Sequence, residues 1–244
     1  MDERALKELE LLSVTKLYGL EEREEVAAVI PAGGPQLVGA VGRPGIQPTG
    51  ASTASWEELR VLVRDCRICA LCKQRKQAVF GVGAENAEWL FVGEGPGADE
   101  DEQGEPFVGQ AGKLLDSMLA AIGIQRGREA YIANVVKCRP PGNRTPTAEE
   151  AAACAPFLDR QIALIRPRLI VALGKTAAMR LLATEASLAS LRGKVHRYKD
   201  TPLVVTYHPA YLLRSLPEKA KAWEDLLFAR RTLARMSLNG GVSA

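Results

Sequence analysis

Five cysteines are the residues of this chain best suited to metal or redox chemistry. Cys66, Cys69 and Cys72 follow a C-x2-C-x2-C spacing, and Cys138 and Cys154 lie far downstream with fifteen residues between them. Two residues between cysteines let neighbouring thiolates meet one centre, and a distant pair can close it from a second segment. Zinc and an iron–sulfur cluster fit this spacing equally, and buried unrelated thiols are the plain alternative. One centre takes four ligands, so one cysteine is spare. The N-terminus, Met1-Asp2-Glu3-Arg4, begins charged and without an apolar leader. A soluble cytoplasmic protein is therefore expected, in which an odd number of cysteines favours metal or redox use over disulfides.

Other groups able to do chemistry follow short apolar runs. Glu94 lies in Gly93-Glu94-Gly95-Pro96-Gly97, Asn134 near the end of Tyr131–Val136, and His208, one of two histidines, after Leu203–Thr206. The GEGPG run resembles a dinucleotide-phosphate loop but lacks the G-x-G-x-x-G spacing. Leu173-Gly174-Lys175-Thr176 lacks the upstream glycine of a P-loop, so neither nucleotide reading is kept. His196 is expected to be structural.

The elements that must position these groups alternate along the chain. Strands are expected at Trp89–Val92, Tyr131–Val136, Leu169–Leu173 and Leu203–Thr206. Helices are expected over 57–65, over 112–122, from Thr147 through Ile165, after Leu173 through Leu182, and over 218–236. Thr147-Ala148-Glu149-Glu150 is a capping box with Pro146 before it. Short apolar strands alternating with helices predict an α/β fold: a three-layer α/β/α sandwich around a four-stranded, mostly parallel sheet. In such sheets sites form beyond the C-terminal strand ends, where Glu94, Asn134 and His208 fall.

Residues 1–55 are expected to form an arm. A helical pattern over 5–27 leads into a run from Pro31 to Ser55 rich in Gly, Pro, Ser and Thr, a composition that builds no core. The compact domain is placed at 56–237, with a tail at 238–244. No apolar run is long enough to span a membrane. The net charge is +3, divided as −3 on residues 1–55 and +6 on the rest, which suits an anionic partner such as nucleic acid.

Several long motifs now carry a resemblance. CRICALCKQRKQAVFGVG, LFVGEGPGADEDEQGEPFVGQAGKLLD, YIANVVKCRPPGNRTPTAEEAAAC and TYHPAYLLR, in this order, resemble the family 4 uracil-DNA glycosylases over about residues 56–237. The resemblance implies a 4Fe–4S cluster on Cys66, Cys69, Cys138 and Cys154, mainly structural, with Cys72 spare. It implies uracil-containing DNA as partner, a monomer, and removal of uracil without strand cleavage. The arm would be free to recruit a repair or replication partner.

The site roles follow from the same motifs. Asn134 offers a donor and an acceptor, as pairing with uracil O4 and N3–H requires, whereas cytosine mismatches both contacts. Phe107 matches the aromatic that stacks on the flipped base, and the backbone of Gly95 approaches it. His208 matches the histidine at uracil O2, where charge gathers as the base leaves. Glu94 is the carboxylate expected to orient the water, with Asp99 and Glu100 as competitors. Glu100 is alternatively the group that excludes the thymine methyl at C5. Asp99, Asp101 and Glu102 otherwise read as surface groups. Pro209 stiffens the start of the last loop, Leu212 is placed as the wedge filling the gap in the duplex, and Arg214 contacts phosphate with Lys137, Arg139 and Arg144. A non-catalytic zinc or iron–sulfur nucleic-acid-binding protein and an electron-transfer protein are the competing classes. Neither needs Asn134, Phe107 and His208 together.

Overall fold

The computed structural model describes residues 50–239. The expected helix over 5–27, most of the Gly/Pro-rich run and the last five residues lie outside these described residues. Gly50 to Ser55 already pack with the folded body: Ala51 and Ala54 are buried, and Arg160 Nε donates to the Ala54 carbonyl at 2.6 Å. Ser55 then caps α1 (Trp56–Arg64) in a capping box with Glu58.

Six strands form one sheet: β1 (Val82–Gly83), β2 (Trp89–Gly93), β3 (Ala130–Asn134), β4 (Leu169–Leu173), β5 (His196–Tyr198) and β6 (Thr201–Thr206), in the order β1-β3-β2-β4-β6-β5. The inner four run parallel, and β1 and β5 pair antiparallel at the two edges. The four-stranded expectation is thus corrected to six. The edge strands have two and three residues and only one fully buried side chain, Tyr198, so no apolar run announces them.

The inner strands are apolar on both faces because both are covered. Alternation sends Leu90, Val92, Tyr131, Ala133, Ile170 and Val205 into one cluster. There they meet α1, α4 (Ala148–Ile165) and α5 (Lys175–Leu182). Trp89, Phe91, Ile132, Val171 and Val204 face the other way, toward α3 (Gln110–Ala121) and α8 (Glu218–Asn239). Shorter helices complete the order: α2 (Ala98–Gln103), α6 (Leu188–Leu191) and α7 (Pro209–Leu212). The capping box read at Thr147 is present, with the Thr147 side chain accepting from Glu150 N–H and Glu150 reaching back to Thr147 N–H at 2.9 Å. No helix among the described residues is long and apolar enough to cross a membrane.

Candidate active site

The C-terminal ends of β2, β3 and β6 open into a cavity of about 570 Å³. Its lining includes Glu94, Gly95, Asp99, Glu100, Phe107, Asn134, Arg144, His208 and Arg214, so the structure brings together nine of the residues singled out in the sequence.

Register places the floor. β2 and β3 pair so that Gly93 lies opposite Asn134. A Cβ on Gly93 would stand 2.4 Å from Asn134 Oδ1 and 2.5 Å from Phe107 Cζ, so only glycine lets these two side chains meet there. Asn134 is 2% exposed and its Oδ1 has no hydrogen-bond partner. Leaving a buried acceptor unpaired costs roughly 1–3 kcal/mol, which a ligand donor would recover.

Phe107 forms the adjacent wall. It has a left-handed φ of 55°, unusual for a residue with a side chain, and is buried. The loop is held in that shape from two sides. Arg126 donates to the carbonyls of Pro106 and Phe107 at 2.8 Å each, and Glu100 Oε1 accepts from Val108 N–H and Gly109 N–H at 2.9 and 3.1 Å. Glu100 Oε2 accepts from Gly97 N–H at 3.0 Å. Glu100 therefore braces the Phe107 loop, with both oxygens committed to backbone. That engagement corrects its reading as a free carboxylate able to compete for water.

His208 follows β6 and caps α7. Its Nδ1 accepts from Ala210 N–H at 3.2 Å, which leaves the ring proton on Nε2. Burial, and then the positive charge of Arg214, push its pKa down to about 4, so the ring is neutral at physiological pH. Its ring lies 5.4 Å from that of Phe107 at 32°. The chain entering His208 is fixed by Arg192, whose guanidinium lies 4.7 Å from the Tyr207 ring centre and pairs with buried Asp225 at 2.6 Å. Glu94 follows β2 and accepts a hydrogen bond from Thr176 Oγ1, a contact that spacing does not reveal because 82 residues separate the two. Gly95 packs so closely on the segment after β3 that a Cβ would come within 2.8 Å of Val136 Cγ2.

The last loop differs from expectation. Leu212 is 1% exposed, because α7 turns it inward, where the helix lies against α3. It is therefore not available as the wedge in this conformation. Tyr211, Leu213 and Leu216 are the exposed apolar side chains there. Pro209 is buried at the first position of α7. Lys137 is also corrected: it is 1% exposed and points inward, not toward phosphate. Arg144 is paired with Glu150 through two contacts of 2.7 and 2.8 Å yet still lines the cavity mouth with Arg214. Asp101, read as a surface group, is buried and accepts from Lys76 N–H at 3.0 Å, tying the segment after the first cysteines to α2.

A second, smaller cavity is lined by Cys66, Cys69, Cys138 and Cys154, with Arg75 and Lys137 beside them, while Cys72 is absent from its lining. Among the described residues no three His, Cys, Asp or Glu side chains converge tightly enough to grip a single metal ion. Arg75 Nη1 donates to Cys138 Sγ at 2.7 Å, and Arg75 Nη2 donates to the Cys66 carbonyl at 2.9 Å. Lys137 N–H donates to Cys154 Sγ at 3.3 Å. Burial pushes the Cys138 and Cys154 thiols up to about 11 and about 12. His196 Nε2 lies 2.8 Å from the Leu191 carbonyl, away from both cavities, in keeping with a structural role.

Known proteins share this arrangement of sequence. The family model described as the uracil DNA glycosylase superfamily matches residues 80–227. A type-4 uracil-DNA glycosylase of Pyrobaculum aerophilum is 44% identical over 178 residues, covering 70% of this chain and 90% of that protein. One from Archaeoglobus fulgidus is 48% identical, covering 64% of this chain and 84% of its own length. A third, from Thermotoga maritima, is 47% identical and covers 63% and 80%. With a matched family model across most of the folded region and relatives of this similarity, the chain belongs to the uracil-DNA glycosylase superfamily, among its type-4 members.

Proposed function

We propose that this protein removes uracil from DNA by hydrolysing the bond between the base and C1′, and that the cavity at the strand ends holds the everted base. The observation that carries the proposal is the buried, unpartnered Oδ1 of Asn134 in the cavity that Phe107 and His208 also line. Uracil N3–H supplies the donor that Oδ1 lacks, and the amide nitrogen donates to O4. Cytosine brings a lone pair where Asn134 needs a donor and a donor where it needs an acceptor, so it leaves both contacts wrong in a buried place.

The chemistry divides among few groups. As the bond to C1′ breaks, both electrons leave with the base and charge gathers on O2. The Nε2–H of neutral His208 donates to that oxygen and so stabilises the charge as it develops. Glu94, one oxygen held by Thr176, faces the cation-like sugar, orients the water that adds to C1′ and takes the proton which that water gives up. Phe107 stacks on the base, worth about 1–3 kcal/mol. Arg144 and Arg214 at the mouth attract backbone phosphate. Leu213, exposed beside Tyr211 and Leu216, takes the wedge role that buried Leu212 does not fill in this conformation.

Cys66, Cys69, Cys138 and Cys154 are the proposed ligands of a 4Fe–4S cluster. Four thiols around a cavity suit a group in which each thiolate bonds its own iron. Loading must release protons from Cys138 and Cys154, since burial keeps these two thiols protonated on their own. When bound, the cluster supplies a structural anchor for the segments around Cys66 and Cys138.

The test is incubation with an oligonucleotide carrying one uracil, with EDTA present. Free uracil and an alkali-labile abasic site are expected. An oligonucleotide left intact by brown, folded protein would overturn the proposal in favour of a non-catalytic nucleic-acid-binding role.

A further inference from the structure

Lys137 joins the two cavities. It follows β3 three residues after Asn134 and directly precedes Cys138. Its side chain is fully enclosed, lines the cysteine cavity, and sends Nζ to the Asn134 carbonyl at 3.0 Å and to Gln161 Oε1 at 2.6 Å. Gln161 is itself buried and anchored by its Nε2, which donates to the Phe80 carbonyl at 2.9 Å. The Lys137 backbone is pinned as well: its carbonyl accepts from Val79 N–H at 2.8 Å, and its N–H donates to Cys154 Sγ.

Enclosing an ammonium costs several kcal/mol, and an apolar side chain of the same volume would fill the space more cheaply. The charge therefore needs a purpose beyond packing. Two of its three protons go to named acceptors, the Asn134 carbonyl and Gln161 Oε1. One acceptor belongs to the residue whose side chain meets the base, and that residue's own Oδ1 is otherwise unheld.

We propose that Lys137 is a positioning residue for uracil recognition: held by Gln161 and the cysteine centre, its ammonium grips the Asn134 carbonyl and so sets the angle at which the Asn134 amide meets the base. This rests on the reading of Asn134 as the base-reading residue. Lys137 thereby links the two cavities, since it lines the one and bonds the residue that floors the other. Misplacing a positioned group by about 1 Å can cost on the order of a hundredfold in rate.

The experiment compares wild type with Lys137→Met, Gln161→Leu and Asn134→Ala. Single-turnover uracil release, KM, visible absorption near about 400 nm from thiolate-to-iron charge transfer, and amide exchange at Val135 and Val136 are measured for each. Lys137→Met is expected to keep its absorption and a KM within about threefold of wild type, since stacking on Phe107 and the phosphate contacts of Arg144 and Arg214 are untouched. Its single-turnover rate should fall about 10- to 100-fold, with faster exchange at Val135 and Val136. An unchanged rate with absorption intact overturns the inference, as does a rate that falls only in step with lost absorption. Should Lys137→Met fail to fold, Gln161→Leu decides: it leaves the ammonium but removes one anchor, so a lowered rate with normal absorption supports the inference and a wild-type rate overturns it. Asn134→Ala separates the two readings. If it remains active, the base-reading role is wrong and the inference falls with it. If it is inactive while Lys137→Met behaves as wild type, only the Lys137 inference fails.

Discussion

The rings of Phe107 and His208 lie 5.4 Å apart at 32°, with Asn134 at the floor behind them. This spacing ties two kinds of chemistry to one base, stacking on its face and donation to its edge. The two residues are 101 positions apart and meet because the Phe107 loop is braced by Glu100 and the His208 loop leaves the C-terminal end of β6.

His208 sets a pH dependence. With its pKa pushed down to about 4, the imidazole stays neutral across pH 6–9, and the single-turnover rate should show no acid limb from this group in that range. The linkage to stability has the opposite sense from a paired histidine. Above about pH 6.5 both folded and unfolded forms are neutral and burial carries no penalty; as pH falls from about 6.5 to about 4 the unfolded chain takes up the proton first, and stability is lost. His208→Gln should reduce this acid sensitivity in thermal melts while lowering activity at least about a hundredfold. A rate profile with a step near pH 6.5 that vanishes in the variant would show that the ring titrates normally.

Gly93→Ala should abolish activity without unfolding the protein. Its Cβ would sit inside van der Waals contact of both Asn134 Oδ1 and Phe107 Cζ, so the added methyl displaces the two side chains that form the slot. Circular dichroism should match wild type, and uracil release should drop by about a hundredfold or more. Retained activity would mean that the slot is not where the base sits.

Leu212 and Leu213 should separate stability from DNA handling. Leu212 is buried, so Leu212→Ala should cost about 2–4 kcal/mol in chemical denaturation. Leu213 is 42% exposed, so Leu213→Ala should leave stability within about 0.5 kcal/mol. It should slow release from double-stranded DNA more than from single strands, where no gap needs filling. Equal slowing on both substrates would remove Leu213 from the wedge role.

Cysteine substitutions should sort by cavity. Cys138→Ser and Cys154→Ser should yield colourless protein that melts at lower temperature, because each removes a thiol that lines the shared cavity. Cys72→Ser should stay brown, since Cys72 does not line it. Iron and sulfide analysis checks both; colour lost in Cys72→Ser would redraw the ligand set.

Much of this was legible before any coordinates. The four inner strands are continuous apolar runs because both faces are covered, and the boundaries at Trp89 and Leu169 fall where those runs begin. The last residue of β3 is Asn134, two residues short of the apolar run, because Val135 and Val136 bond instead to the carbonyls of Gly93 and Glu94 beyond the regular ladder. The edge strands were invisible, since two or three half-exposed residues carry no periodicity. Charged residues misled most. Lys137 and Asp101 look like surface groups in sequence, and only the tertiary contacts with Asn134, Gln161 and the Lys76 backbone reveal why they are inside. Leu212 was misplaced for a related reason: counting along a motif says nothing of which way a four-residue helix turns its side chains.

The central claim, that Asn134 reads uracil, is tested most directly by single-turnover release from matched oligonucleotides carrying one uracil or cytosine, using wild type and Asn134→Ala. Wild type should release uracil and leave cytosine in place, and Asn134→Ala should lose at least about a hundredfold on uracil with its fold and colour intact. Release of uracil by Asn134→Ala at close to the wild-type rate would contradict the account.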